Sequence, residues 1–270
     1  MVTGASLHRV EPGSKVQLAK IDPGDTSAGP GDKVAVEAAL VPLRARLAAL
    51  QAQLYAGAHH RLLVVLQGLD TSGKGGTVNH VLGAGHPVGL RVVSFKAPTR
   101  DELARDYLWR IHANVPKDGE IGVFDRSHYE DVLVARVEEL VPESRWRQRY
   151  DHINAFERML TDEGTTIVKV LLHISKDEQR ERLQARLDDP AKRWKFQPDD
   201  LHTRSLWDDY QAAFAEAVER TSTHHAPWHV VPANHKWYRN WAVATIVVAV
   251  LEGIDMSWPE PDGLDSIVID

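Results

Sequence analysis

The sequence predicts an α/β protein, a three-layer α/β/α domain around a central parallel sheet of five strands, and three observations carry that expectation. Five short aliphatic runs recur along the chain: RLLVVLQGL (61–69), LRVVSF (90–95), EIGVFD (120–125), TIVKVLLHIS (166–175) and WHVVPA (228–233). Segments of helical character separate them, the pattern of strands buried on both faces and joined by crossover helices. The first run leads into GLDTSGKGGT, Gly68 to Thr77, which fits the phosphate-loop spacing G-x-x-x-x-G-K in its strand, loop, helix context.

Taken in order, residues 1–30 are broken by Pro and Gly at short intervals and read as an extended arm. The remainder, 31–270, is expected to form one P-loop kinase domain. From Lys33 to Tyr55 leucines at 40, 43, 47, 50 and 54 follow three- and four-residue steps, which gives a helix with one apolar face. The five strands follow. Ligands of such sheets bind at the carboxyl ends of the strands, a rule that gathers Gly68–Thr77, Lys96–Arg100, Asp125–Ser127 and Ala233–Lys236 into one neighbourhood. Between the fourth and fifth strands lies a charged helical stretch. Pro190 and Pro198 divide it into two helices and a connection, the form of a lid, assigned to residues 176–207. WAVATIVVAVL (Trp241–Leu251) reads as a buried helix, far short of the roughly 20 apolar residues that span a bilayer.

With 43% hydrophobic and 26% charged residues the composition is that of a globular protein, and without cysteine there is no disulfide, thiolate metal site or cysteine nucleophile. A cytoplasmic protein with no membrane partner is expected. The net charge of −6 argues against a nucleic-acid binder, so a polyanion must be met by a local cationic cluster.

Phosphoryl transfer is the chemistry these residues suit. Lys74 is the phosphate lysine, expected as an exposed loop residue, and Gly73, Gly75, Gly76 and Thr77 would let backbone N–H groups close on phosphate oxygens. Gly75 stands where the common loop has the Ser or Thr that ligates Mg²⁺. Asp70 in the loop and Asp125 at the end of the third strand are the candidate replacements, both as metal ligands and as catalytic groups. Each also has a plain reading, as a turn or capping residue. Arg126 is expected in an extended strand end, pointing away from Asp125, with a planar fork suited to phosphate. Lys96, Arg100 and Arg136 are further phosphate candidates, as are Arg182 and Arg186, which share a face of the lid. The remaining lid cations, Arg180, Lys192, Arg193, Lys195 and Arg204, are nearly balanced by acidic neighbours and fit a solvated helix equally well. THHAPWH holds three histidines without a zinc-protease spacing.

The segments GLDTSGKGGT, SFKAPT, DYLWRIH, GVFDRSHYEDVLVARV, RLDDPAKRWKF, LWDDY and APWHVVPANHKWYRN together resemble the type-2 polyphosphate kinases, from about Val10 to Ile254. The resemblance implies a thymidylate-kinase-like fold with a helical lid, and a Mg²⁺-dependent (Mn²⁺ being an alternative) reversible phosphotransferase. Its partners would be inorganic polyphosphate and the adenine nucleotides AMP, ADP and ATP, in a homo-oligomer. Carried over by position, it assigns Asp70, Lys74, Asp125, Arg126 and Arg136 to the site, and SHYEDVLV resembles members that accept AMP as well as ADP. Two other readings stay open at this point: an ATP-dependent nucleoside monophosphate kinase of the thymidylate-kinase type, which Gly75 disfavours, and a nucleotide-sensing module without turnover.

Overall fold

The computed structural model describes residues 4–260 and 269, so the first residues of the predicted arm (1–3) and most of the last ten of the predicted domain lie outside the described residues. The arm is packed on the domain. It buries Leu7 and Leu18 and contributes a two-residue strand, β1 (Arg9–Val10). Helix α1 (Lys33–Gly57) starts at Asp32, whose side chain accepts from Ala35 N, and it buries Leu47, Leu50 and Leu54, the apolar stripe read from the sequence.

The phosphate loop lies between β2 (Arg61–Gln67) and α2 (Lys74–His80). Then come β3 (Leu90–Ser94), the one-turn helices α3 (Arg100–Leu103) and α4 (Trp109–His112), β4 (Ile121–Asp125), α5 (Val134–Val137), α6 (Glu143–Asp162) and β5 (Thr165–His173). The charged stretch folds into α7 (Lys176–Asp188), α8 (Asp199–Ser205) and α9 (Trp207–Thr221), three helices rather than two, because Leu206 leaves the helical path between the last two. Strand β6 (Trp228–Pro232) and the buried α10 (Lys236–Glu252) complete the domain.

The sheet order is β1-β6-β5-β2-β4-β3. The five predicted strands pair in parallel as expected, and the sheet gains β1 as an antiparallel sixth strand on β6, so it is mixed. Two paired residues are too few to register as a period-two run. Strand β3 also departs from expectation: it is an edge strand with Arg91, Val92 and Ser94 exposed. One set of helices (α1, α2, α10) packs together against one face of the sheet, and α5, α6 and α9 pack together on the other. Strands β3 and β4 follow β2 on one side while β5 and β6 continue on the other, which opens a crevice at the carboxyl end of β2, where the phosphate loop begins.

Candidate functional site

The loop turns on residues with left-handed backbone: Gly68 (φ +149°), Thr71 (φ +67°) and Gly73 (φ +107°). Lys74 is buried, not exposed as expected, because its side chain folds back over the loop, where Nζ donates to Gly68 O (2.5 Å) and Leu69 O (3.3 Å). Burial pushes its pKa down, and Asp70 works against that shift. The hydroxyls of Thr71, Ser72 and Thr77 are buried without a hydrogen-bond partner, which is what a loop prepared for phosphate oxygens requires.

The glycines divide by function. A Cβ at Gly73 would lie 2.7 Å from Arg239 Cζ, and one at Gly76 3.1 Å from its Nη2, whereas one at Gly75 would meet nothing. Arg239, from the first turns of α10, is therefore the group against which the loop is folded. It is buried, and its hydrogen bonds go to Asn240 Oδ1. Burial and the neighbouring Arg182 lower its pKa to about 10, the mark of a guanidinium held without a carboxylate. Lys236, one turn earlier, is lowered by partial burial and by Arg182 and Arg239.

Strand β4 delivers the second motif. Arg126 is not in extended conformation: it has φ +65°, a backbone cost of about 1–2 kcal/mol for a non-glycine residue. Its Nη2 donates to Asp70 Oδ1 at 2.7 Å, so the turn aims it at the loop. Burial alone would raise the Asp70 carboxyl, but Lys74 and Arg126 hold it below the usual range. Asp125 and Glu130 act on the same two cations, and burial raises Glu130 despite them. The capping role weighed for Asp125 falls to Ser127, whose Oγ accepts from Tyr129 N. Among the described residues no three His, Asp or Glu side chains are grouped to hold a metal. Magnesium commonly takes one or two carboxylates and fills its octahedron with phosphate oxygens and water; Asp70 and Asp125, which both act on Lys74 and Arg126, are the carboxylates that could supply them.

A cavity of about 640 Å³ opens beside this cluster, lined by Asp70, Arg126 and Glu130, by Phe95, Arg110, Asp131 and Arg149, and by Asp200 and Tyr210. Exposed Leu103 and Leu140 give it an apolar rim. Arg149 Nη1 donates to Asp131 Oδ1 (3.0 Å), and Arg110 Nη1 to Lys96 O (2.8 Å).

The other predicted residues part company. Lys96 lines the cavity, whereas Arg100 is exposed at the start of α3 and does not. Arg136 lies away from the loop, paired with Glu216 (2.7 Å) and stacked on Trp146. Arg182 is buried and faces no open path: it donates to Thr71 O, Ser72 O, Ala233 O and Asn234 O, and pairs with Glu178 at 2.7 Å. Arg186, a quarter exposed, lies 3.5 Å from Asp200 and acts on Asp70. Sequence reasoning placed Lys236 in the neighbourhood without giving it a role and overlooked Arg239 and Glu130, although both fall in the quoted segments APWHVVPANHKWYRN and SHYEDVLV.

A mostly parallel sheet with a glycine loop after β2, an acid-arginine pair at the end of β4 and cations converging on both defines a P-loop phosphotransferase. The family model described as Polyphosphate kinase 2 (PPK2) matches residues 31–258. The chain belongs to that family. It is 56% identical over 264 residues to an AMP/ADP-polyphosphate phosphotransferase of Meiothermus ruber, covering 97% of this chain and 99% of that one. An ADP-polyphosphate phosphotransferase of Rhodopseudomonas palustris is 43% identical over 227 residues, 80% of this chain and 78% of the relative. The crystal structure of Polyphosphate Kinase 2 from Arthrobacter aurescens TC1 superposes with a TM-score of 0.92 at 50% identity, over 96% of this chain and 93% of the other.

Proposed function

We propose that this chain moves the terminal phosphoryl group of inorganic polyphosphate to AMP and ADP. The observation that carries this reading is the two-sided phosphate loop. On one side Asp70 and Arg126 face a cavity large enough for a nucleotide; on the other, Arg239 lies against Gly73 and Gly76, with Lys236 one turn earlier on α10, and neither has a carboxylate within ion-pair distance among the described residues. The near full-length similarity to a relative named for both AMP and ADP supports both acceptors.

An acceptor phosphate oxygen attacks the end phosphorus of the chain, and the cleaved bridging oxygen leaves with the shortened polyphosphate, so no covalent enzyme intermediate is needed. Lys74 turns from the carbonyls of Gly68 and Leu69 to the transferring group, and Arg126 exchanges Asp70 for phosphate, which leaves the Asp70 carboxylate free. Asp70 and Asp125 would hold Mg²⁺ (or Mn²⁺), which when bound supplies charge neutralisation at the phosphates. Helices α7 and α8 act as the lid that excludes water, with Arg186 as its phosphate-facing cation. Arg182 and Arg136 are left out of the polyphosphate path because their guanidiniums are engaged elsewhere.

A donor and acceptor screen tests this reading. Transfer from polyphosphate to AMP and ADP is expected, with long chains better than tripolyphosphate and the advantage shrinking with salt. Transfer from ATP to dTMP with none from polyphosphate would overturn it in favour of an ordinary nucleotide kinase, and binding without turnover would favour a sensor.

A further inference from the structure

Beneath the second motif lies a group of buried polar side chains that phosphoryl transfer does not use. Lys169, in the middle of β5, is fully buried, and its Nζ donates to Glu157 Oε2 (2.6 Å), Tyr129 Oη (2.9 Å) and Thr221 O (2.7 Å). Glu157, from α6, accepts at Oε1 from Tyr129 Oη (2.8 Å), and His128 Nε2 lies 3.2 Å from the same oxygen. All three protons of the ammonium and both oxygens of the carboxylate are satisfied, while His128 Nδ1 is buried without a partner.

Stability does not account for it. Desolvating two charges offsets most of their attraction, and well-packed apolar residues commonly replace a buried pair without loss. What the pair does specify is where Tyr129 and His128 lie. Those residues follow Arg126 at a distance of two and three positions, on the turn that also carries Glu130. Arg126 holds a left-handed backbone, which persists only where the flanking chain is fixed. On the strand side it is fixed by Arg126 N donating to Leu66 O (3.2 Å) and Phe95 N to Asp125 O (3.2 Å). On the far side Gln67 Nε2 donates to Ser127 Oγ (3.2 Å), and beyond that the anchors are the side chains of His128 and Tyr129 in the buried network.

We infer that Lys169 and Glu157, acting through His128 and Tyr129, are positioning residues that hold the strained turn of Arg126 against the phosphate loop. The inference rests on the phosphate-facing part proposed for Arg126.

The test replaces both charges together, Lys169→Met with Glu157→Gln, so that neither is stranded, and uses Tyr129→Phe as a milder second variant should the pair fail to fold. Each is measured in the native background and in Arg126→Lys, with melting temperature, kcat and KM for AMP and polyphosphate. The expected result is a folded protein whose kcat falls about 10- to 100-fold while either KM moves less than about threefold. In the Arg126→Lys background the same replacement should cost less than about threefold, because the group it positions is already impaired. Native kcat in the folded network variants, or an equal loss in both backgrounds, would overturn the inference alone. Full turnover by Arg126→Lys and Arg126→Ala would withdraw the reading of Arg126 itself, and this inference with it.

Discussion

Gly73 and Gly75 are two residues apart and carry opposite constraints. Gly73 needs a left-handed backbone and its missing Cβ is filled by Arg239, whereas Gly75 borders open space. Gly73→Ala is therefore expected to displace the loop and lower kcat by at least about 100-fold. Gly75→Ser should fold with an unchanged or slightly higher melting temperature, since serine is the better helix former by roughly 0.5 kcal/mol. It also restores the hydroxyl of the common loop, so half-maximal activity should need less Mg²⁺; metal titrations of the two proteins check this, and overlapping curves would refute a role for that position in metal demand. Lys74 adds a third case. As a buried cation its removal need not destabilise, so Lys74→Met is expected to melt at or above the native temperature while losing about 1,000-fold or more in turnover. Differential scanning fluorimetry beside a coupled rate assay separates the two effects.

Helix α7 carries two cations, read alike from the sequence, that the fold places in different surroundings. Arg182 and Arg186 are one turn apart, and helical spacing puts them on one face. The fold then turns Arg182 inward to five acceptors, four of them main-chain oxygens of the phosphate loop and of the segment after β6, and leaves Arg186 beside Asp200. Arg182→Gln should cost about 2–4 kcal/mol in denaturant unfolding, because buried carbonyls lose a donor, and Arg182→Lys should not restore it, since an ammonium cannot reproduce the fork. Arg186→Gln should leave unfolding nearly unchanged and weaken polyphosphate use. Equal stability losses in the two glutamine variants would refute this division. The five parallel strands, α1 and the buried α10 were legible because each has a strong period or an aliphatic run. The position of Asp125 at the end of a strand was legible from the aliphatic run that leads into it. Hidden from the sequence were the left-handed turn at Arg126, set by tertiary contacts, and the role of Arg239, about 165 residues from the loop it supports. Long-range contacts of that kind leave no local pattern.

Across the whole molecule, the N-terminal arm is joined to the candidate site through neutral histidines. His229 Nδ1 donates to Leu7 O (2.7 Å), His8 Nε2 lies 2.6 Å from Tyr238 Oη, and His173 Nε2 donates to Ile21 O (3.2 Å). Further along, Asn234 N donates to Pro23 O, and Asn234 O receives Arg182, so the arm reaches the segment behind the phosphate loop. Burial lowers all three histidines, His229 to about 4, with Arg9 and His8 adding to that shift; Asp25 opposes it at His8 and Asp22 at His173. A histidine whose folded pKa lies below its unfolded value binds more protons unfolded, so stability rises with pH through that interval and is lost as pH falls. For His229 the window runs from about 6.5 down to 4, and lowering pH from 7 to 5 should cost about 2 kcal/mol from this residue alone. The loss should appear first in the arm, as faster hydrogen exchange at Val230 N, which donates to His8 O. His229→Gln keeps a donor for Leu7 O without the titration. Urea unfolding at pH 7 and pH 5 should therefore show a smaller difference for this variant than for the native chain by about 2 kcal/mol, and equal pH slopes in the two proteins would rule out His229 as the group that loosens the arm.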